Sequence, residues 1–154
     1  MHSSNSLPSR AREKIDGLGL LLLRLWVGQE FALAGFRKLS SGWTAPSWFA
    51  GLDFPIFVGW LPASVNWGIA GVAELLLGIA LVLGIASRTA SLGLLFITYV
   101  AVYSVHFDLG WAGWNQIDSD DGLGFKVPLM LALMLVAIVT QGPGRWSFDS
   151  WRRP

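Results

Sequence analysis

The chain has 154 residues, of which 53% are hydrophobic and only 14% charged, with a formal net charge of +1 and no cysteine. Its mean hydropathy is +0.53, whereas a soluble domain carries roughly 25% charged residues. The near-neutral balance excludes a nucleic-acid footprint. The lack of cysteine excludes disulfides, a thiol nucleophile, thiolate metal sites and dithiol relays, and leaves the redox compartment open.

Residues 1–17 are Ser-rich and charged without an apolar period, and are expected to form a mobile cytoplasmic tail. Arg10, Arg12 and Lys14 ahead of an apolar run, with Ala32-Leu33-Ala34 beyond it, imitate a secretory signal. Arg24 interrupts that run and Gln29-Glu30 precede the small residues, so the segment is read as a retained span. Four apolar stretches then follow, at about Leu18–Leu39, Val65–Ile85, Thr89–His106 and Leu123–Thr140. A helix of about 20 apolar residues crosses the hydrocarbon core, and in lipid only helices or closed barrels satisfy their own backbone.

Between the first two spans, residues 43–62 hold Trp43, Trp48, Phe49, Phe54, Phe57 and Trp60 with three prolines. Proline stops this loop from spanning, and its aromatics suit headgroup depth. A tight turn at Ala86-Ser87-Arg88 makes the second and third spans an antiparallel hairpin. The third loop, Phe107–Gly122, carries Asp108, Asp118, Asp120 and Asp121 with Trp111 and Trp114. Gly142-Pro143-Gly144 stops the fourth span, and residues 145–154 form a short cytoplasmic tail. The expectation is an all-α integral membrane four-helix bundle, one domain over 18–144, with a Trp/Pro-rich outer loop. Arg10, Arg12, Lys14, Arg88, Arg145, Arg152 and Arg153 lie on one side, against Arg37, Lys38 and Lys126 on the other. The positive-inside rule therefore predicts that both termini are cytoplasmic.

Arg24 and Glu30 in the first span and Glu74 in the second each cost about 2.5–3.5 kcal/mol in lipid and should face the bundle interior. At about 100° per residue, Glu30, Ala34 and Arg37 share one stripe; Arg24, Gly28, Phe31 and Gly35 share another. Gly71 and Gly78 lie on the face of Glu74 and predict a close helix contact. Tyr99, Tyr103 and His106 climb one side of the third span, and Lys126 stands near the same level. Two arrangements stay open. In one, Arg24 and Glu74 form an interhelical ion pair, with Arg88 as a further structural tie. In the other, Glu30, Glu74, Tyr103, His106 and Lys126 converge on one cavity in the outer half of the bundle. Glu30, Glu74 and His106 are then the candidate catalytic groups. Tyr103, His106 and Lys126 would line the mouth of that cavity.

The sequence resembles the DoxX family of small four-span membrane proteins over nearly its whole length. The likeness rests on Arg24-Leu25 through Ala34-Gly35-Phe36-Arg37-Lys38-Leu39, and on Trp48-Phe49 followed by Leu52 and Pro55. It continues through Glu74-x3-Gly78-x2-Leu81-x2-Gly84-x3-Arg88, Val105-His106-x3-Gly110-Trp111 and Gly142-Pro143-Gly144-x2-Ser147-x-Asp149. The Trp-Phe loop and the Val-His piece look most like the branch found beside copper-binding peptide maturation genes. The resemblance implies a bundle in the bacterial inner membrane. It also implies a tie to quinone-linked oxidation, because archaeal relatives serve with a partner subunit as a thiosulfate:quinone oxidoreductase; Tyr103, His106 and Lys126 would then line a quinone pocket, with no covalently bound cofactor.

Three functions follow as expectations. The first is an accessory membrane subunit, in lipid and with a protein partner or as a homo-oligomer, whose partner supplies electrons to quinone. The second is a non-catalytic scaffold or assembly factor. The third is copper handling, which needs His106, Asp108, Glu30 and Glu74 as ligands. The only other histidine is His2, and soft copper sites prefer sulfur or imidazole, so no metal site is expected. Met130 and Met134, one turn apart, are read as core packing.

Overall fold

The computed structural model describes residues 17–152, so the expected N-terminal tail lies outside the described residues except for Gly17. Four long helices account for most of the chain: α1 (Leu18–Ser40), α2 (Ala63–Leu83), α3 (Ser87–Val105) and α4 (Lys126–Gln141). The chain is thus an all-α membrane helical bundle, with one two-residue antiparallel ladder in the loop before α4. α1, α2 and α3 are long and apolar enough to cross a membrane. α4 has 16 residues, a rise of about 24 Å, which is less than the roughly 30 Å of hydrocarbon. The outer surface is as greasy as the inside: Leu76 is 60%, Phe96 57% and Leu133 61% exposed. Water would not tolerate apolar cover on every helix; acyl chains require it.

The interior is a layer of Val27 and Phe31 from α1, Leu81 from α2, Ala90 and Leu94 from α3, and Leu135 and Ile138 from α4. α1 and α2 form the most intimate pair, and glycine is the reason. A Cβ placed on Gly35 would stand 2.5 Å from the Gly71 carbonyl oxygen, and one on Gly78 would stand 2.7 Å from the Gly28 carbonyl oxygen. Glycines two turns apart on each helix therefore key into each other, backbone to backbone. The small-residue face expected around Glu74 is used within the chain.

The other end of the bundle is closed by the turn between α2 and α3. Gly84 ends α2 at φ 72°, with Ile85 N–H donating to the Ala80 carbonyl at 2.8 Å. This is the left-handed helix stop that favours glycine. Ala86 then takes φ 46°, a conformation L-residues resist. Asp149 holds it there: its carboxylate accepts from Ala86 N–H and Ser87 N–H, each at 2.8 Å, and so caps α3. The C-terminal segment is consequently docked rather than trailing, with a helical turn at Phe148–Trp151. We expect Asp149→Ala to lower stability in detergent by about 1–2 kcal/mol. Ala86→Gly should raise it by up to about 1 kcal/mol, since relief of the left-handed strain outweighs the added freedom of the unfolded chain. Parallel melts of the two variants check the opposite signs.

α4 begins three residues later than its hydropathy suggests. Asp118–Ser119 pairs with Gly122–Leu123 across a turn at Asp120-Asp121. Phe125 N–H then donates to the Gly113 carbonyl at 3.0 Å, docking the strand on a 3-10 helix at Gly110–Asn115. Leu123, half-buried, is part of this ladder and does not belong to the helix.

Candidate functional site

Glu74, 6% exposed at the middle of α2, receives a hydrogen bond from Lys38 Nζ at 2.6 Å. Geometry explains how a residue near the end of α1 reaches it. Side chains lean toward the N-terminus of their own helix. In this antiparallel pair Lys38 therefore leans inward and Glu74 leans toward the loops, so the two meet. Gly71 leaves room for the Lys38 stem, a Cβ there falling 3.2 Å from the Lys38 Cβ. Trp67 closes the space above, its ring centroid 5.8 Å from Lys38 Nζ and its indole N–H donating to the Gly42 carbonyl at 3.1 Å. Phe49 stacks edge-on to Trp67 at 5.0 Å, and Trp48 does so at 5.9 Å. Asn66 ties down the same loop by donating to the Val58 carbonyl at 2.9 Å. The result is a buried ion pair under an aromatic lid.

The expected Arg24–Glu74 ion pair does not form. Arg24 lies against Gly84, ten residues along α2 from Glu74, a rise of about 15 Å. It is 1% exposed and donates to the carbonyls of Pro143 at 2.9 Å and Trp146 at 2.6 Å. Asp149 supplies the nearby negative charge. Arg24 thus ties α1 to the C-terminal segment and the α2–α3 turn. Arg88, also expected in an ion pair, makes a long 3.5 Å contact to the Thr140 carbonyl at the end of α4 instead.

The five residues expected around one cavity are not brought together. Glu74 is taken by Lys38. Glu30 is exposed on the outer side of α1, away from Arg24, Gly28, Phe31 and Gly35, which are buried. Tyr103 is 51% exposed on α3 beside Tyr99, ring centroids 6.3 Å apart. His106 and Lys126 do share a neighbourhood: His106 caps α3, Lys126 opens α4, and both are half-buried. His106 Nδ1 and Ser104 Oγ are buried there without a hydrogen-bond partner among the described residues. Burial holds the His106 pKa below its ordinary value, against opposing pulls from the Gly124 backbone and the Asp108 carboxylate. In the neutral imidazole the one N–H is given to the Gly124 backbone, which leaves Nδ1 as a free acceptor. No three of His, Asp and Glu cluster in a metal-binding arrangement among the described residues. Met134 packs against the core as expected, whereas Met130 does not and is 49% exposed on α4.

Sequence reasoning placed weight on Lys38 only through the resemblance, and passed over Asn66 and Trp67. Their signal was the proline at position 62: it opens α2 with a polar and an aromatic residue on the helix's first turns, facing the loop.

A family model for DoxX matches residues 19–107. A Haemophilus influenzae protein described as uncharacterized is 35% identical over 137 residues, covering 88% of this chain and 83% of its own length. No solved structure matches.

Proposed function

This chain belongs to the DoxX family, and we propose that it is an accessory membrane subunit that acts as a scaffold, not as a catalyst. One observation carries this reading. Both inward-facing charges of α1, Arg24 and Lys38, and the inward carboxylate of α2 make contacts at 2.6–2.9 Å that tie helices and the C-terminal segment together, and the one Arg24 nitrogen left without a partner, Nε, is shut away from any substrate by burial. A catalytic group needs capacity left for a substrate. The residues that do present themselves are Trp43, Ile56, Phe57 and Trp60, 67–76% exposed on the loop between α1 and α2. In this proposal the chain crosses the bacterial inner membrane with both termini in the cytoplasm. The aromatic platform then meets a partner at the outer surface, where large amphipathic rings suit both headgroups and a protein interface.

The orphaned Nδ1 of His106 favours a second reading, in which the partner delivers electrons to a quinone held beside His106, where α3 ends and α4 begins. A quinone supplies two-electron, two-proton acceptor chemistry. Lys126 fits the group as a hydrogen-bond donor to a carbonyl, His106 Nδ1 can accept from a quinol hydroxyl, and Tyr103 lies one turn before His106. Glu30 and Glu74 have no part in this arrangement.

One preparation separates the readings. Wild type and His106→Ala are purified in mild detergent, and the bound quinone and copurifying proteins are measured. The scaffold reading expects the same partner with both forms and no stoichiometric quinone. Quinone bound to wild type and lost from His106→Ala, with the partner retained, would establish the second reading instead.

A further inference from the structure

We infer that the outer face of α1 is an interface with a second copy of this chain, closed by reciprocal contacts between Gln29 and Glu30. Glu30 stands 12 residues after Leu18 and 10 before Ser40. It is therefore about 15 Å or more from either end of the helix, at the depth where water is absent. Both Gln29 and Glu30 are exposed, and neither has a hydrogen-bond or ion-pair partner among the described residues. An amide and a carboxyl side by side facing acyl chains is an arrangement membranes select against. Ionisable groups at this depth turn to protein or to a water-filled cavity.

The neighbours of this pair say what covers it. Leu22, Trp26, Leu33 and Phe36 are 48–59% exposed and, with Gln29, follow a 4-3-4-3 spacing along α1. That is the seam of a helix pair. Beside it α1 and α4 stand apart, leaving a groove of about 1180 Å³ between Leu22, Trp26 and Gln29 on one side and Met134 and Gln141 on the other. Copies of one chain insert the same way round, so a two-fold relating them runs along the membrane normal. The two α1 helices are then parallel, with equal residue numbers at equal depth. In a parallel two-fold pair, a seam residue enters a hole formed by four residues of its mate, among them its own counterpart and the flanking residue that follows it. Glu30 lies about 100° from Gln29 around the helix and one residue deeper, a step of about 1.5 Å. Each Gln29 amide therefore donates to the Glu30 carboxyl of the other copy, and the contact occurs twice. Donor and acceptor sit on the same surface, so the face is complementary to itself. Lipid offers neither group a partner, and an unrelated protein would need a matching donor and acceptor at this one depth.

The chain has no cysteine, so a single introduced thiol reports without background. Leu33→Cys, in the seam, should give a disulfide-linked dimer of this chain on mild oxidation of native membranes. Phe96→Cys on α3, where the native side chain is 57% exposed against 48% for Leu33, should give little. Glu30→Leu removes both reciprocal contacts and should weaken dimerisation in detergent roughly tenfold, since such contacts are worth about 1–2 kcal/mol together. Glu30→Gln, which keeps an acceptor, should weaken it less. Equal cross-linking of Leu33→Cys and Phe96→Cys would overturn the inference in favour of lipid. Cross-linking of Leu33→Cys to a different protein would overturn it in favour of a heterologous partner. Unchanged dimerisation in Glu30→Leu would remove Glu30 and Gln29 from the interface.

Discussion

Lys38→Met should lower the melting temperature in detergent by roughly 6–12 °C, corresponding to about 3 kcal/mol. The variant keeps the length and packing of the side chain and removes only the ammonium. Glu74 is then a carboxylate 6% exposed in the middle of a bundle with no cation to hold it. It must either stay charged without compensation or take up a proton and lose its hydrogen bond. Glu74→Leu should cost a similar amount for the mirror-image reason, less whatever the Lys38 ammonium recovers by moving toward the loops, since its side chain is 22% exposed. The double variant Lys38→Met/Glu74→Leu should return close to wild type. Replacing both members of a buried pair by apolar residues is often neutral or stabilising, while removing one is not. Additive losses in the double variant, measured by the same melts, would mean that the two side chains do not act as a pair.

The second large effect belongs to the glycines. Gly35→Ala should destabilise by about 1–3 kcal/mol, and Gly35→Ile by more. A Cβ at this position meets the Gly71 carbonyl oxygen at 2.5 Å and the Leu75 amide nitrogen closer still. These are backbone atoms of α2, so relief comes only from moving one helix off the other. The Lys38–Glu74 pair lies one turn away and would lengthen with them. Gly19→Ala supplies the control: nothing lies within 4 Å of a Cβ there, and alanine gains about 1 kcal/mol of helix propensity over glycine. The two Gly→Ala changes therefore have opposite signs in one helix. If both stabilise, the α1–α2 interface is looser than the described contacts require.

The fold was largely legible because hydropathy and glycine placement act over whole helices. The apolar stretches predicted α1, α2 and α3 to within two residues at each end. Leu123 misled because a strand docked on a loop is as apolar as a helix, and the Asp120-Asp121-Gly122 turn that signals the hairpin lay inside a run taken as irregular. The ion pairing was not legible, for a reason of register. Aligning the end of α1 with the start of α2 places Gly35 opposite Gly68, which leaves Arg24 only about five residues from the level of Glu74. Gly35 in fact meets Gly71 and Leu75. That stagger of about one turn carries Glu74 up to Lys38 and leaves Arg24 facing Gly84 and the C-terminal segment. Sequence names the charges, while the glycine contacts decide which of them meet. Glu30 was expected inside on the cost of its charge alone, but the helix turns Arg24, Gly28, Phe31 and Gly35 inward, which leaves Glu30 on the opposite side.

The structural role of the buried charges is tested most directly by complementation. The gene is deleted, and the Lys38→Met/Glu74→Leu double variant is returned from the native locus, with its membrane abundance and its rescue of the deletion phenotype measured together. If the pair only ties α1 to α2, abundance and rescue both match wild type, while Lys38→Met alone is depleted. A double variant that accumulates to the wild-type level yet fails to rescue would contradict this, and would assign Lys38 and Glu74 to chemistry.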